Sequence, residues 1–309
     1  MRSGGRWREA VEGYLFLAPA LLIIGGFHIW PALYAFYMSL FRWEILQEGF
    51  VGLQNYGRLL QDGNFLRSLG ITVVYVAGTV PLEMAVGLGL AILLHQRLRL
   101  RGLFRLLYFL PYVTSQVAVA LVWGWVFNPT YGAANGLLAA VGAPAQTWLL
   151  QPNGIVAANA PPSLALASIM LVTIWYYVGF HAVVFLSGLT AIPAELTDAA
   201  RIDGAGGFRL FRHITFPLLS PTTYFLLLVA TIGAMTSFNL IYVMGGGGSG
   251  CAGNPLGTTE VAALFVFDRF WCQTQLGYAS AAAFALGLVV LAVSAANGRL
   301  FSRRVVYVG

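Results

Sequence analysis

The chain has 309 residues, of which 59% are hydrophobic and only 9% charged, and its mean hydropathy is +0.77. Soluble domains carry about a quarter charged residues, so composition alone makes this a membrane protein. All 17 basic residues are arginine, and without lysine the chain builds neither a GxxxxGK[ST] phosphate loop nor a Schiff base.

A bilayer core of about 30 Å needs about 20 apolar residues in a helix. The opening, MRSGGRWREAVEGYLF, imitates a signal peptide because basic residues precede an apolar run. The run continues from Tyr14 to Leu40, too long for a signal segment, and no small-x-small cleavage site follows it. It reads as a retained first span. Runs long enough to cross a bilayer are predicted at 14–40, 68–94, 103–128, 163–190, 216–244 and 276–300. Pro31, Pro81 and Pro111 fall inside them, which membrane helices tolerate when neighbours satisfy the freed backbone. The expectation is an all-α integral-membrane protein with six transmembrane helices in a single domain over 1–309.

The second span contains Glu83, in VPLEMAVGL, the one carboxylate well inside an apolar run. Ionisable groups at membrane depth are costly, so Glu83 is either an interhelix hydrogen-bond partner or a residue lining a solute path. In the fourth span Thr173, Tyr176, Tyr177 and Phe180 fall at i, i+3, i+4 and i+7, on one helical face. The fifth carries Thr236, Ser237 and Asn239 around Phe238. Such mixtures of hydroxyl, amide and aromatic groups suit a sugar, although aromatic residues at helical spacing also serve packing.

Between the fourth and fifth spans lies AELTDAARIDGAGGFRLFRHITFPLLSP, a concentration of charge in a chain that otherwise has little. Pro193 suits a first helical turn, and Glu195 and Asp198 sit where the helix dipole favours negative charge. Gly204, Gly206 and Gly207 permit a turn before the basic FRLFRHI segment and Pro217. Acids in the first half fit an anionic lipid surface poorly. A protruding helix of mixed charge is better suited to docking a soluble partner.

Farther on, GGGGSG at 245–250 reads as a flexible connection. Cys251 and Cys272 flank the segment after it and are candidates for a disulfide, with two unpaired thiols as the alternative. Neither they nor His28, His95, His181 and His213 show metal-ligand spacing.

Arginine placement predicts orientation. Arg2, Arg6 and Arg8, then Arg97, Arg99, Arg101 and Arg105, then Arg201, Arg209 and Arg212, then Arg299, Arg303 and Arg304 all fall on one set of alternate connections. The other set holds only Arg42, Arg58, Arg67 and Arg269, and its 129–162 connection has no formal charge. Both termini and the charged 194–215 stretch are therefore expected in the cytoplasm, in a multi-pass protein of a prokaryotic inner membrane.

The segment DAARIDGAGGFRLFRHITFP resembles the EAA loop of ABC importer permeases: E-A-A, three residues, G, then about nine residues and I-x-L-P. Asp198, Ala199, Ala200, Gly204, Ile214 and Pro217 match its spacing, with Asp198 in place of Glu and Phe216 in place of Leu. The likeness runs along the chain to the sugar-permease branch that includes the maltose and glycerol-3-phosphate systems. FVGLQNYGRLL, FRLLYFLPYVTSQVAVALVWGWVFNP, LIYVMGGGG, GYASAAAF and the RRVVY end carry it, while GGGGSGCAGNPLGTT departs from the usual VMTxGGP.

The resemblance implies a type I importer permease fold. It also implies a second, homologous permease subunit, two cytoplasmic ATPase subunits and an extracytoplasmic solute-binding protein. Residues 194–207 would be the coupling helix, with Glu195, Asp198, Ala199, Ala200, Asp203, Gly204 and Pro217 meeting an ATPase subunit. ATP and Mg would sit on that subunit. This chain would bind no cofactor and no nucleic acid and would not be an enzyme. In the maltose systems the same parts of the fourth and fifth spans contribute the solute site, which favours a path beside Thr173, Tyr176, Thr236 and Ser237. The solute expected is a carbohydrate, with glycerol-3-phosphate or another polyol phosphate as the alternative. A stand-alone secondary transporter or channel would require an inverted repeat or a membrane-embedded ion site. An intramembrane enzyme would require a nucleophile–base pair or metal ligands.

Overall fold

The structure is a computed structural model and describes residues 4–96, 99–155, 161–246, 251 and 255–301. Arg2, Arg97, Arg303, Arg304, most of the GGGGSG run and the RRVVY end lie outside the described residues. By its internal packing the chain divides into two compact units, Met1–Asp62 with Arg269–Ala285, and Gly63–Asp268 with Leu286–Gly309.

In the first unit, helix α1 (Gly4–Ile24) runs through a π turn at Gly25–Ile29 into α2 (Trp30–Ser39). The π turn falls just before Pro31, where a backbone donor is missing. From Val11 to Ser39 this is a continuous candidate span, and no residue of its most apolar stretch is buried by the rest of the chain. A short antiparallel hairpin follows, β1 (Phe41–Trp43) with β2 (Gln47–Phe50), an addition to an otherwise helical fold. The Asn55 amide, on helix α3 (Gln54–Gln61), donates to the carbonyls of Ser39 and Phe41 and ties helix to hairpin.

The second unit is built on α4 (Gly63–His95), followed by α5 (Arg101–Val113), α6 (Gln116–Val126) and α7 (Ala133–Ala140). The long α8 (Leu164–Thr190) packs along α4 and α5. Then come α9 (Ala194–Ile202), α10 (Gly207–Leu210), α11 (Phe216–Leu218), α12 (Ser220–Met235), α13 (Asn239–Met244) and α14 (Ala262–Phe267). The final helix, α15 (Leu276–Phe301), begins in the first unit and ends in the second. One apolar cluster joins Tyr75, Ile169, Val172, Ile241 and Leu264, and another joins Ala91, Phe185, Leu186, Leu219 and Leu226.

Among the described residues four helices are each long and apolar enough to cross a membrane, and two bent pairs raise the number to six. The predicted span 103–128 is not one rod: α5 and α6 meet at 97°. Thr114 and Ser115 are extended there, and the Thr114 hydroxyl donates to the Pro111 carbonyl. The predicted span 216–244 is likewise interrupted. Its first bend, 65° at Leu219, lies between Pro217 and Pro221, neither of which donates a backbone hydrogen bond. A second break at 236–238 separates α12 from α13. Hydropathy is blind to both, because a broken helix stays as apolar as a straight one.

Candidate functional site

Inside the second unit a cavity of about 200 Å³ lies between α4, α5, α8 and α12. Its lining includes Tyr75 and Glu83 from α4, Tyr112 from α5, Thr173, Tyr177 and His181 from α8, and Ser237 from the break after α12. Three hydroxyls form a relay across it. Thr173 Oγ1 donates to its own helix at the Ile169 carbonyl, 2.9 Å, so it accepts from the Tyr75 hydroxyl, also 2.9 Å away. With its single hydrogen so used, Tyr75 accepts from Ser237 Oγ at 3.2 Å. The rings of Tyr112 and Phe180 stack at 4.8 Å on the cavity wall.

Glu83 is only 3% exposed, and among the described residues its carboxyl has neither a hydrogen bond nor an ion pair. The interhelix hydrogen-bond role therefore has no partner here. His181 Nδ1 donates to the Tyr177 carbonyl, 2.9 Å, and its Nε2 is buried with no partner among the described residues.

Of the predicted path residues, the structure brings Glu83, Thr173, Tyr177 and Ser237 to this cavity. Tyr176 faces elsewhere: its hydroxyl reaches the carbonyls of Tyr112 and Thr114, 3.0 and 3.1 Å, and satisfies backbone freed by the α5–α6 break. Thr236 turns back to the Ile232 carbonyl, 2.9 Å. Asn239 donates to Gln116 Oε1 at 2.9 Å, and Gln116 Nε2 donates to the Tyr177 hydroxyl, also 2.9 Å. Gln116 thus joins the two helix breaks to α8. Sequence reading missed Tyr75, Gln116 and His181. A signal for Tyr75 was present, since Ser68, Thr72, Tyr75, Thr79 and Glu83 recur at spacings of three and four, a polar stripe within an apolar run.

The charged stretch forms a surface of its own. Helix α9 ends in a Schellman cap: Gly204 N–H bonds the Arg201 carbonyl and Ala205 N–H the Ala200 carbonyl, with Gly204 at φ +78°. Glu195, Asp198, Ala199 and Asp203 are exposed, Ala200 is buried, and Pro217 is half-buried at the start of α11. Asp198 and Arg201 pair at 3.2 Å. Ile202 is 86% exposed and Phe208 is 76% exposed, on either side of the turn.

Cys251 and Cys272 are each disulfide-bonded. No group of three or more metal-ligating side chains occurs among the described residues.

Residues 84–306 match the family model described as binding-protein-dependent transport system inner membrane component. The chain is 35% identical to the trehalose/maltose transport system permease protein of Thermococcus litoralis, over 86% of this chain and 85% of that one. It is 33% identical to the sn-glycerol-3-phosphate transport system permease protein of Agrobacterium fabrum, over 95% and 96% of the two chains. Both relatives are transport permeases. Its fold matches a chain of a bacterial ABC transporter involved in import of the acidic polysaccharide alginate, with a TM-score of 0.83 over 98% of this chain and 99% of that chain, at 19% identity.

Proposed function

Because the chain belongs to the family of binding-protein-dependent transport system inner membrane components, we propose that it is a permease subunit of an ATP-driven importer of a carbohydrate. The observation that carries the carbohydrate reading is the cavity between α4, α5, α8 and α12. It pairs a relay of hydroxyls with stacked aromatic rings, the groups that sugar hydroxyls and sugar CH faces require. The relative named for trehalose and maltose supports this reading. The relative named for sn-glycerol-3-phosphate supports a second one, import of a polyol phosphate.

In this reading the chain forms half of a pathway completed by a homologous permease subunit, and a solute-binding protein delivers the solute from outside. Two ATPase subunits, holding ATP and Mg, sit on the cytoplasmic side together with both termini. Helix α9 and its capped turn serve as the coupling element. The mixed charge of Glu195, Asp198, Arg201 and Asp203 and the bare side chains of Ile202 and Phe208 suit a protein groove better than a lipid surface. Apolar side chains so exposed lower the free energy only when a partner covers them.

The test is reconstitution of the chain with the permease, ATPase and binding protein encoded beside it. Uptake should require ATP and the binding protein. The double variant Ile202→Asp, Phe208→Asp should lose co-purification of the ATPase subunits while the permease pair remains assembled. Uptake without the ATPase subunits would overturn the importer assignment, and retained co-purification would overturn the docking surface.

A further inference from the structure

The polar groups around the cavity are unequally used. Thr173 has its hydrogen on the Ile169 carbonyl, Tyr75 on Thr173, and Ser237 on Tyr75. His181 has Nδ1–H on the Tyr177 carbonyl. Of the lining groups the Tyr177 hydroxyl, which accepts from Gln116, and the Tyr112 hydroxyl keep an uncommitted hydrogen. What remains open beside these two hydrogens is the Glu83 carboxyl, the free lone pairs of Ser237, and Nε2 of His181. No arginine is among the described residues lining the cavity, and the chain contains no lysine.

We infer that this cavity selects an uncharged, hydroxyl-rich solute and rejects phosphorylated, sulfonated or carboxylated ones, with Glu83 as the specificity-determining residue. The inference rests on the reading of the cavity as part of the solute path. A polyol supplies hydrogens to acceptors that otherwise have none. An anionic group supplies only acceptors, and its charge would be buried with no counter-charge from this chain, a cost that an incomplete set of donors does not offset. Selection of this kind is strong because the mismatch leaves buried polar groups unpaired on both sides.

The complex of this chain with its partner permease and ATPases, in lipid nanodiscs without the binding protein, allows a direct test. Equilibrium binding is measured with maltose, trehalose and sorbitol, and with glycerol 3-phosphate and galacturonate. At least one uncharged probe should bind, and the anions should bind at least about tenfold more weakly, the cost of one unmade hydrogen bond to a charged group. Glu83→Gln, which keeps the shape and adds a donor, should narrow that gap, and Glu83→Arg should reverse it. Anions binding the wild type as tightly as uncharged probes would overturn the selectivity while leaving the path reading in place. A gap unchanged in both variants would remove Glu83 from the role. Binding of no probe at all would overturn the path reading, and the inference with it.

Discussion

Tyr75 shows how one buried hydroxyl organises a site. Its ring is fully buried in the core, yet its oxygen links α8 to the break after α12 through Thr173 and Ser237. Tyr75→Phe keeps the ring and removes the link. Thr173 retains its bond to Ile169, so the loss falls on the Tyr75–Thr173 and Ser237 contacts, about 1 kcal/mol per bond. The variant should melt a few degrees lower in detergent and show weaker uptake; an unchanged melting temperature would place the relay outside the stability of the fold. Gly179 illustrates a different constraint. A Cβ there would fall on the Tyr108 carbonyl, backbone against backbone, where nothing flexible can give way. Gly179→Ala should therefore cost on the order of 1–3 kcal/mol. Gly124→Ala, in open space, should cost little. Thermal unfolding of the two variants side by side checks this.

At the scale of elements, the breaks matter more than the helices. The α5–α6 break survives because Tyr176 and Thr114 take up its freed carbonyls. Gln116 and Asn239, each just past a break, are held to one another. The capped end of α9 depends on Gly204 adopting a left-handed conformation, which costs a residue with a Cβ roughly 1–2 kcal/mol. No atom lies within 4 Å of a Cβ at Gly204, so a substitution there acts through the backbone and not by collision. Gly204→Val should fray the Schellman cap, read as faster hydrogen exchange at the Ala205 amide, and should weaken retention of the ATPase subunits. Unaltered exchange at Ala205 would show that the cap does not depend on this glycine.

For the molecule as a whole, the covering of apolar surface is decided outside the chain. The span Val11–Ser39 buries none of its most apolar stretch against its own chain; Phe16, for example, is 88% exposed. In water such a surface would drive aggregation, and in a bilayer it is covered. The two cysteines belong to this scale as well. The arginine pattern predicts their connection on the outer side, where disulfides persist. Maleimide labelling of denatured, unreduced protein should modify neither Cys251 nor Cys272, and labelling of both would refute the bridge.

Sequence alone determined the membrane class, the number of apolar runs, the exposed charged stretch with its Gly204 turn, and the family. Each follows from local information: composition, run length, the spacing of charges and a short motif. That Thr173, Tyr177, Ser237 and Glu83 are candidates for a solute path was also legible, because polar groups within apolar runs are few, but so were Tyr176 and Thr236, which do not line the cavity. What only the tertiary structure decided is which of these faces a common space. Tyr75 meets partners 98 and 162 residues away in sequence, and Tyr176 turns to a helix break. In a helix that is apolar on all sides, periodicity cannot say which face meets a neighbour. That choice belongs to packing, where the hydrogen bonds left open by each break must find donors on another helix.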